Sequence, residues 1–146
     1  MPARKYGNKI VVVDNHKFDS KEEAKYYDQL KWLLQAKQIK SFKLQPKYLL
    51  QEAFKKNGKT FRKIEYIADF EIHNLDGSIE VVDVNGVETE AFKIKRKLFE
   101  MKYPYKLSLI TYELAFGGWI DLEELKKLKR KPQKKVRAKK IGKPKT

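Results

Sequence analysis

At 146 residues and 41% hydrophobic content, the chain has the size and composition of one domain with a single core, and no apolar run approaches the roughly 18 residues of a membrane-spanning helix. The absence of cysteine excludes disulfides, zinc–thiolate centres and cysteine nucleophiles. Lys and Arg total 34 against 19 acids, for a net charge of +15, and 12 of those cations fall in 126–146, a stretch without an acid.

The opening MPARKYGNK lacks the apolar core of a secretory signal, so a cytoplasmic location is expected. NKIVVVDNHKF reads as a short hairpin turning at Asp14-Asn15. Ser20 followed by Glu23 has the form of a capping box, and the helix it opens is expected to run to about Gln38, with Ala24, Tyr27, Leu30 and Leu34 at helical spacing. SFKLQPKYLLQEAF reads as extended, with a bend or sheet edge at Pro46. The Asn57-Gly58 pair predicts a tight hairpin turn, because type I′ turns need positive φ at both central residues. One long strand is expected over 60–73, then a turn at NLDGS and a strand over 79–85. A second helix is expected over 89–102, ending before Pro104, followed by the strand YKLSLITYEL. After Gly117-Gly118, DLEELKKLKR should form a short helix that frays into the tail.

Two helices around a central mixed sheet make an α/β sandwich, expected over 1–125. The basic segment 126–146 should be a largely disordered arm, since its lysines repel one another and it has little to bury. Such an arm suits phosphate, because neutralising a polyanion releases its condensed counterions.

The strands over 60–73 and 79–85 each carry an aspartate, Asp69 and Asp83, where aspartate is a poor strand former and costly near a buried sheet. Period-2 alternation puts Asp69 and Glu71 on one face of their strand, and Asp83 and Asn85 on one face of the next. Two carboxylates brought together by a hairpin repel unless they share a cation. With oxygen ligands and no cysteine, the cation expected is Mg²⁺ or Mn²⁺. His16 and His73 both sit near turns and read as surface residues. Phe92, Phe99, Tyr26 and Tyr27 read as core.

A glutamate on the first helix, an aspartate ending one hairpin strand and a D/E-x-K triplet on the next form the pattern of PD-(D/E)XK nucleases. Here Glu23 in SKEEAKYY, Asp69 in IADF and 83–85 in VDVNG resemble it, and the order α-β-β-β-α-β resembles that restriction-endonuclease-like core. FDSKEEAKYYDQL, LQPKY, YIADFEI and DVNGVETEAFKIKRKLFE are similar to a group of small phage and prophage proteins placed among such nucleases. Transposon end-cutting and Holliday-junction-resolving nucleases look like more distant relatives. The resemblance covers about residues 6–114.

It implies a Mg²⁺-dependent endodeoxyribonuclease of phage recombination or replication, acting on branched, four-way DNA in the host cell cytoplasm. It also implies catalytic roles for Glu23, Asp69, Asp83 and the residue at 85. Asp69, Asp83, Glu23 and the Val84 main-chain carbonyl would hold the metal. Glu22 competes with Glu23 for its role, and Glu23 has a purely capping reading as well. DNA would meet Lys93, Lys95, Arg96 and Lys97 on the second helix. In the arm it would meet Lys129, Arg130, Lys131 and Lys134, continuing through Lys135, Arg137, Lys139 and Lys140. Cutting a symmetric junction needs two sites, hence a homodimer.

The sequence departs from the pattern at Asn85, where the family has lysine. Asparagine can hydrogen-bond a water but carries no charge. Three explanations stay open: a basic group such as Lys63, Lys93 or Lys97 replaces it, cleavage has been lost, or the chain is an inactivated variant. On the face-sharing expectation, lysine at 85 would raise cleavage. The alternative function is a non-cleaving DNA-binding protein that keeps the nuclease fold. An RNA- or ribosome-associated protein would explain the arm but not the aspartates.

Overall fold

The computed structural model describes residues 9–130. Strands β1 (Val11–Val13) and β2 (His16–Phe18) form the first hairpin, with Asp14 and Asn15 at positive φ in the turn. Helix α1 (Lys21–Gln35) follows, and its N-cap is the expected one: Ser20 Oγ accepts from Glu23 N at 3.1 Å. The helix stops three residues short of the expected end, with Lys37 at φ +60°. The chain continues through β3 (Ile39–Leu44), β4 (Lys47–Gln51), β5 (Phe54–Lys56), β6 (Lys59–Phe61), β7 (Ile64–Ile67), β8 (Phe70–Asn74) and β9 (Ile79–Val84). Then come α2 (Glu90–Lys102), β10 (Lys106–Glu113), a 3₁₀ turn (Leu114–Phe116) and β11 (Gly118–Asp121). A third helix, α3, begins at 122 and reaches the last described residue.

The molecule is a mixed α/β protein around a five-stranded sheet of order β11-β10-β9-β8-β3. β9 pairs parallel with β10 and antiparallel with β8, so it is central. Its residues alternate between two cores. Val82 and Val84 pack with Phe70, Ile72, Phe18, Tyr27 and Leu30 under α1, while Val81 packs with Tyr48, Tyr66, Leu107 and Phe99 under α2. That double burial explains the near-continuous apolar reading of IEVVDV.

The strand expected over 60–73 is three strands. β6 closes a hairpin with β5, β7 pairs with β4 in a separate ribbon, and only β8 joins the main sheet. The physical reason lies at Ala68-Asp69. Ala68 N donates to Pro46 O, on the ribbon side, whereas Asp69 N donates to Val82 O, on the sheet side. Opposite, the chain turns between β3 and β4 at Gln45-Pro46, with Gln45 at φ +48°, so Pro46 does mark a bend. The backbone thus changes sheets without leaving its hydrogen bonds unmade, and local periodicity cannot report that.

The 79–85 strand ends at Val84, one residue early, and β11 is an addition to the expected set. Gly117 and Gly118, at φ +93° and +112°, reverse the chain so that Trp119 lies beside Tyr112 at the sheet edge. The α3 helix crosses the expected 125/126 boundary. Leu125 is buried and Lys126 Nζ lies 2.7 Å from Glu88 Oε1. Residues 131–146, and with them most of the expected arm, lie outside the described residues. No helix of the described residues is long and apolar enough to cross a membrane.

Candidate functional site

Where β7 hands over to β8, and β9 to α2, the structure opens a cleft of about 690 Å³. Asp69 and Asp83 line it, together with Asp19, Glu65, Tyr66 and Lys95. The two aspartates are tied to each other's strands. Asp83 Oδ1 accepts from Asp69 N at 3.0 Å, and Asp69 Oδ2 accepts from Val84 N at 2.8 Å. The second Asp83 oxygen accepts from the Tyr66 hydroxyl, which reaches across from the ribbon. Burial raises the Tyr66 pKa well above its usual value, and the Asp83 carboxylate adds to the rise, so Tyr66 is a neutral donor. The convergence of Asp69 and Asp83 expected from the hairpin is therefore present. Val84 also meets the site, through its N–H.

Sequence reasoning misses Tyr66, because an aromatic residue in a strand reads as core. It is core on one side, packing on Phe99 and Phe92, and a hydroxyl donor on the other. Tyr66→Phe removes the donor from Asp83, which is only 9% exposed. The expected cost is about 1–3 kcal/mol of folding stability, measured by urea denaturation. An unchanged midpoint would mean that water satisfies that oxygen.

Asn85 departs from its expected face. It sits at φ +55°, its N–H donates to Ile110 O at 2.7 Å, and its Oδ1 accepts from Thr111 Oγ1 at 2.9 Å. The positive φ breaks the alternation after Val84. Asn85 consequently lines a neighbouring cleft with Glu22, Thr111 and Leu122, not the one that holds Asp83. Asparagine is one of the few residues that tolerates this backbone region, which gives it a structural reason to be there.

Glu23 is 2% exposed, and its Oε1 accepts from Asp19 N at 3.4 Å. The Ser20 half of the capping box is formed, and the Glu23 side chain reaches back to Asp19 N, one residue before the N-cap. It is one hydrogen bond behind Asp19, which lines the cleft. Glu71, expected to share a face with Asp69, belongs to a separate cluster with Tyr48 (2.6 Å), His73 (2.6 Å) and Lys43 (3.8 Å). Burial pushes the Glu71 carboxyl up, but the Tyr48 and His73 hydrogen bonds and the Lys43 charge outweigh that and hold it below its ordinary value. His73 is thus half-buried against Glu71 rather than a surface residue, whereas His16 is exposed.

The basic residues of α2 divide by helix phase. Lys95 lines the cleft. Lys93 pairs with Glu90 at 3.5 Å, and Lys97 is exposed on the outer face. Arg96 is pinned to the sheet by Leu107 O and lies 3.6 Å from Glu100. Lys63 sits 3.3 Å from Glu65 at the cleft rim. Lys129 and Arg130 are exposed on α3, and Lys131, Lys134, Lys135, Arg137, Lys139 and Lys140 lie outside the described residues.

Among the described residues no group of three or more His, Cys, Asp or Glu side chains is arranged around a common metal position. The donor chemistry of the cleft still fits a hard cation. Mg²⁺ is commonly held by one or two carboxylates, completing its shell with water and substrate phosphate, and in the cleft the carboxylates of Asp69 and Asp83 converge beside open volume.

Fold and site together define a mixed α/β protein with a cleft, where its central strand meets α2, in which Asp69 and Asp83 converge. The chain belongs to the family described as "Protein of unknown function (DUF1064)", whose model matches residues 3–118. No curated protein and no solved structure matches it.

Proposed function

We propose that the chain is a metal-dependent DNA endonuclease of the PD-(D/E)XK type, acting on branched DNA in phage recombination or replication. The observation that carries the reading is the pairing of Asp69, just before β8, with Asp83 in the adjacent β9, and Lys95 in the wall of the same open cleft. The order α1, β3, β8, β9, α2, β10 supports it, with the β4–β7 ribbon and its hairpin as an insertion between β3 and β8.

Asp69 and Asp83 would hold Mg²⁺ or Mn²⁺, with Glu23 supporting that wall from behind Asp19. The ion would acidify a bound water and offset charge on the scissile phosphate. Tyr66 fixes the Asp83 carboxylate, and the Val84 N–H fixes that of Asp69, so both anionic groups are oriented before substrate arrives. Lys95 brings the positive charge that Asn85 lacks. The exposed cations of α2 and α3 contact the DNA backbone without reading bases. Two such sites in a homodimer would cut a symmetric four-way junction.

The second reading, a DNA-binding protein without cleavage, draws on the absence of a three-acid cluster among the described residues. Incubating the chain with linear, flapped and four-way DNA in Mg²⁺ or Mn²⁺ separates the two. Millimolar Mn²⁺ should also raise the wild-type melting temperature by mass action, and Asp83→Asn should abolish that rise. A melting temperature indifferent to Mn²⁺, with no cleavage of any form, would leave the binding-protein reading in place.

A further inference from the structure

Between β4 and β7 the chain makes a detour that the core does not need. Strands β5 and β6 pair only with each other, around Asn57-Gly58, and all six of their residues are exposed. Phe54 and Phe61 are cross-strand partners with rings stacked at 4.8 Å and 13°, yet they remain 44% and 40% exposed. Lys56 and Lys59, two positions on, are cross-strand partners on that same face. Like charges placed directly opposite destabilise a ribbon, so this pair works against the hairpin's own stability. Between Ala53 and Ile64 there are five cations, Lys55, Lys56, Lys59, Arg62 and Lys63, and no acid. Among the described residues, only Lys63 of the five is in an ion pair.

An exposed aromatic platform ringed by uncompensated cations fits a strand of nucleic acid with unpaired bases. Bases stack on aromatic faces regardless of sequence, and the adjacent cations track the phosphates. A protein partner would need an acidic surface and would leave the stacked, solvent-facing rings without a specific role. We propose that the β5–β6 hairpin is a contact arm for single-stranded DNA, with Phe54 and Phe61 as the stacking platform and Lys55, Lys56, Lys59 and Arg62 as phosphate contacts. The ribbon that carries it leads back to the cleft: Asp69 is eight positions along the chain from Phe61, at most about 27 Å at strand rise. An unpaired segment held on the arm therefore lies within a few nucleotides of the two aspartates. The inference rests on the nucleic-acid part of the reading above and is independent of cleavage.

The test is fluorescence anisotropy of labelled oligothymidylate, and of a duplex of the same length, with the full chain, without divalent metal, across a salt series. Phe54→Ala/Phe61→Ala should weaken single-strand binding about tenfold or more, leave the salt slope unchanged and change duplex binding little. Phe54→Tyr/Phe61→Tyr should bind like wild type, which separates stacking from any loss of folding. Lys55→Gln/Lys56→Gln/Lys59→Gln should flatten the single-strand slope by about 0.7 for each phosphate no longer neutralised. Unchanged single-strand affinity in the alanine variant, or an equal loss on duplex, would overturn the proposal. So would a wild-type chain that binds neither form. Cleavage is read in a separate assay, so failure of the arm and failure of the nuclease reading are distinguishable.

Discussion

Asp83→Asn is expected to lower Mg²⁺-dependent cleavage by at least about 10³-fold while DNA affinity in the absence of metal holds. The fall corresponds to losing several kcal/mol of charge stabilisation at the reacting phosphate. The fold should survive, because asparagine keeps the acceptor for Asp69 N and its amide can donate to the Tyr66 hydroxyl oxygen. Asp69→Asn should behave the same way, since the remaining carbonyl can still accept from Val84 N. Single-turnover rates on four-way DNA, alongside anisotropy in chelator, check both. If both asparagine variants cut at the wild-type rate, the cleft is not the reaction centre.

The second large effect concerns the missing lysine. Lys95→Met should lower the cleavage rate by about 10²–10³, the usual loss when one preorganised group facing a developing negative charge is removed. The loss should appear in kcat more than in KM, because binding is spread over many other cations. Asn85→Lys, by contrast, should bring no gain. The new side chain would start from a backbone at φ +55°, lose the Thr111 bond and enter the neighbouring cleft. This reverses the expectation that strand alternation alone supports. A tenfold or greater rise on Asn85→Lys, with Lys95→Met silent, would put position 85 back at the reaction centre.

Local chemistry made much of the framework legible. Ser20 announces the start of α1, Asn57-Gly58 its hairpin, and the doubly apolar IEVVDV its central position. The pairing of Asp69 with Asp83 followed from one short turn between their strands. What stayed hidden depends on partners distant in sequence. The chain changes sheets at Ala68-Asp69 because Pro46 and Val82 offer acceptors on opposite sides, and neither is a sequence neighbour. Asn85 leaves its face through one backbone angle. Lys95, however, carried a signal. It is three residues from Phe92 and four from Phe99, so it shares their face of α2, where a cation needs a reason to be. Lys93 and Lys97 lie on other faces, and spacing alone could have ranked the three.

Strand β3 ends the five-stranded sheet, and no other strand among the described residues pairs with its outer side. Its register breaks between Ile39 and Ser41, at exposed Lys40, and exposed Lys43 lies three residues further along the strand. An irregular edge studded with lysines resists recruiting another chain's strand. Copies of this protein are thereby discouraged from joining edge to edge through β3. A self-association that kept this fold would therefore be built on surfaces other than β3, leaving the sheet of each copy closed to its neighbour along that edge.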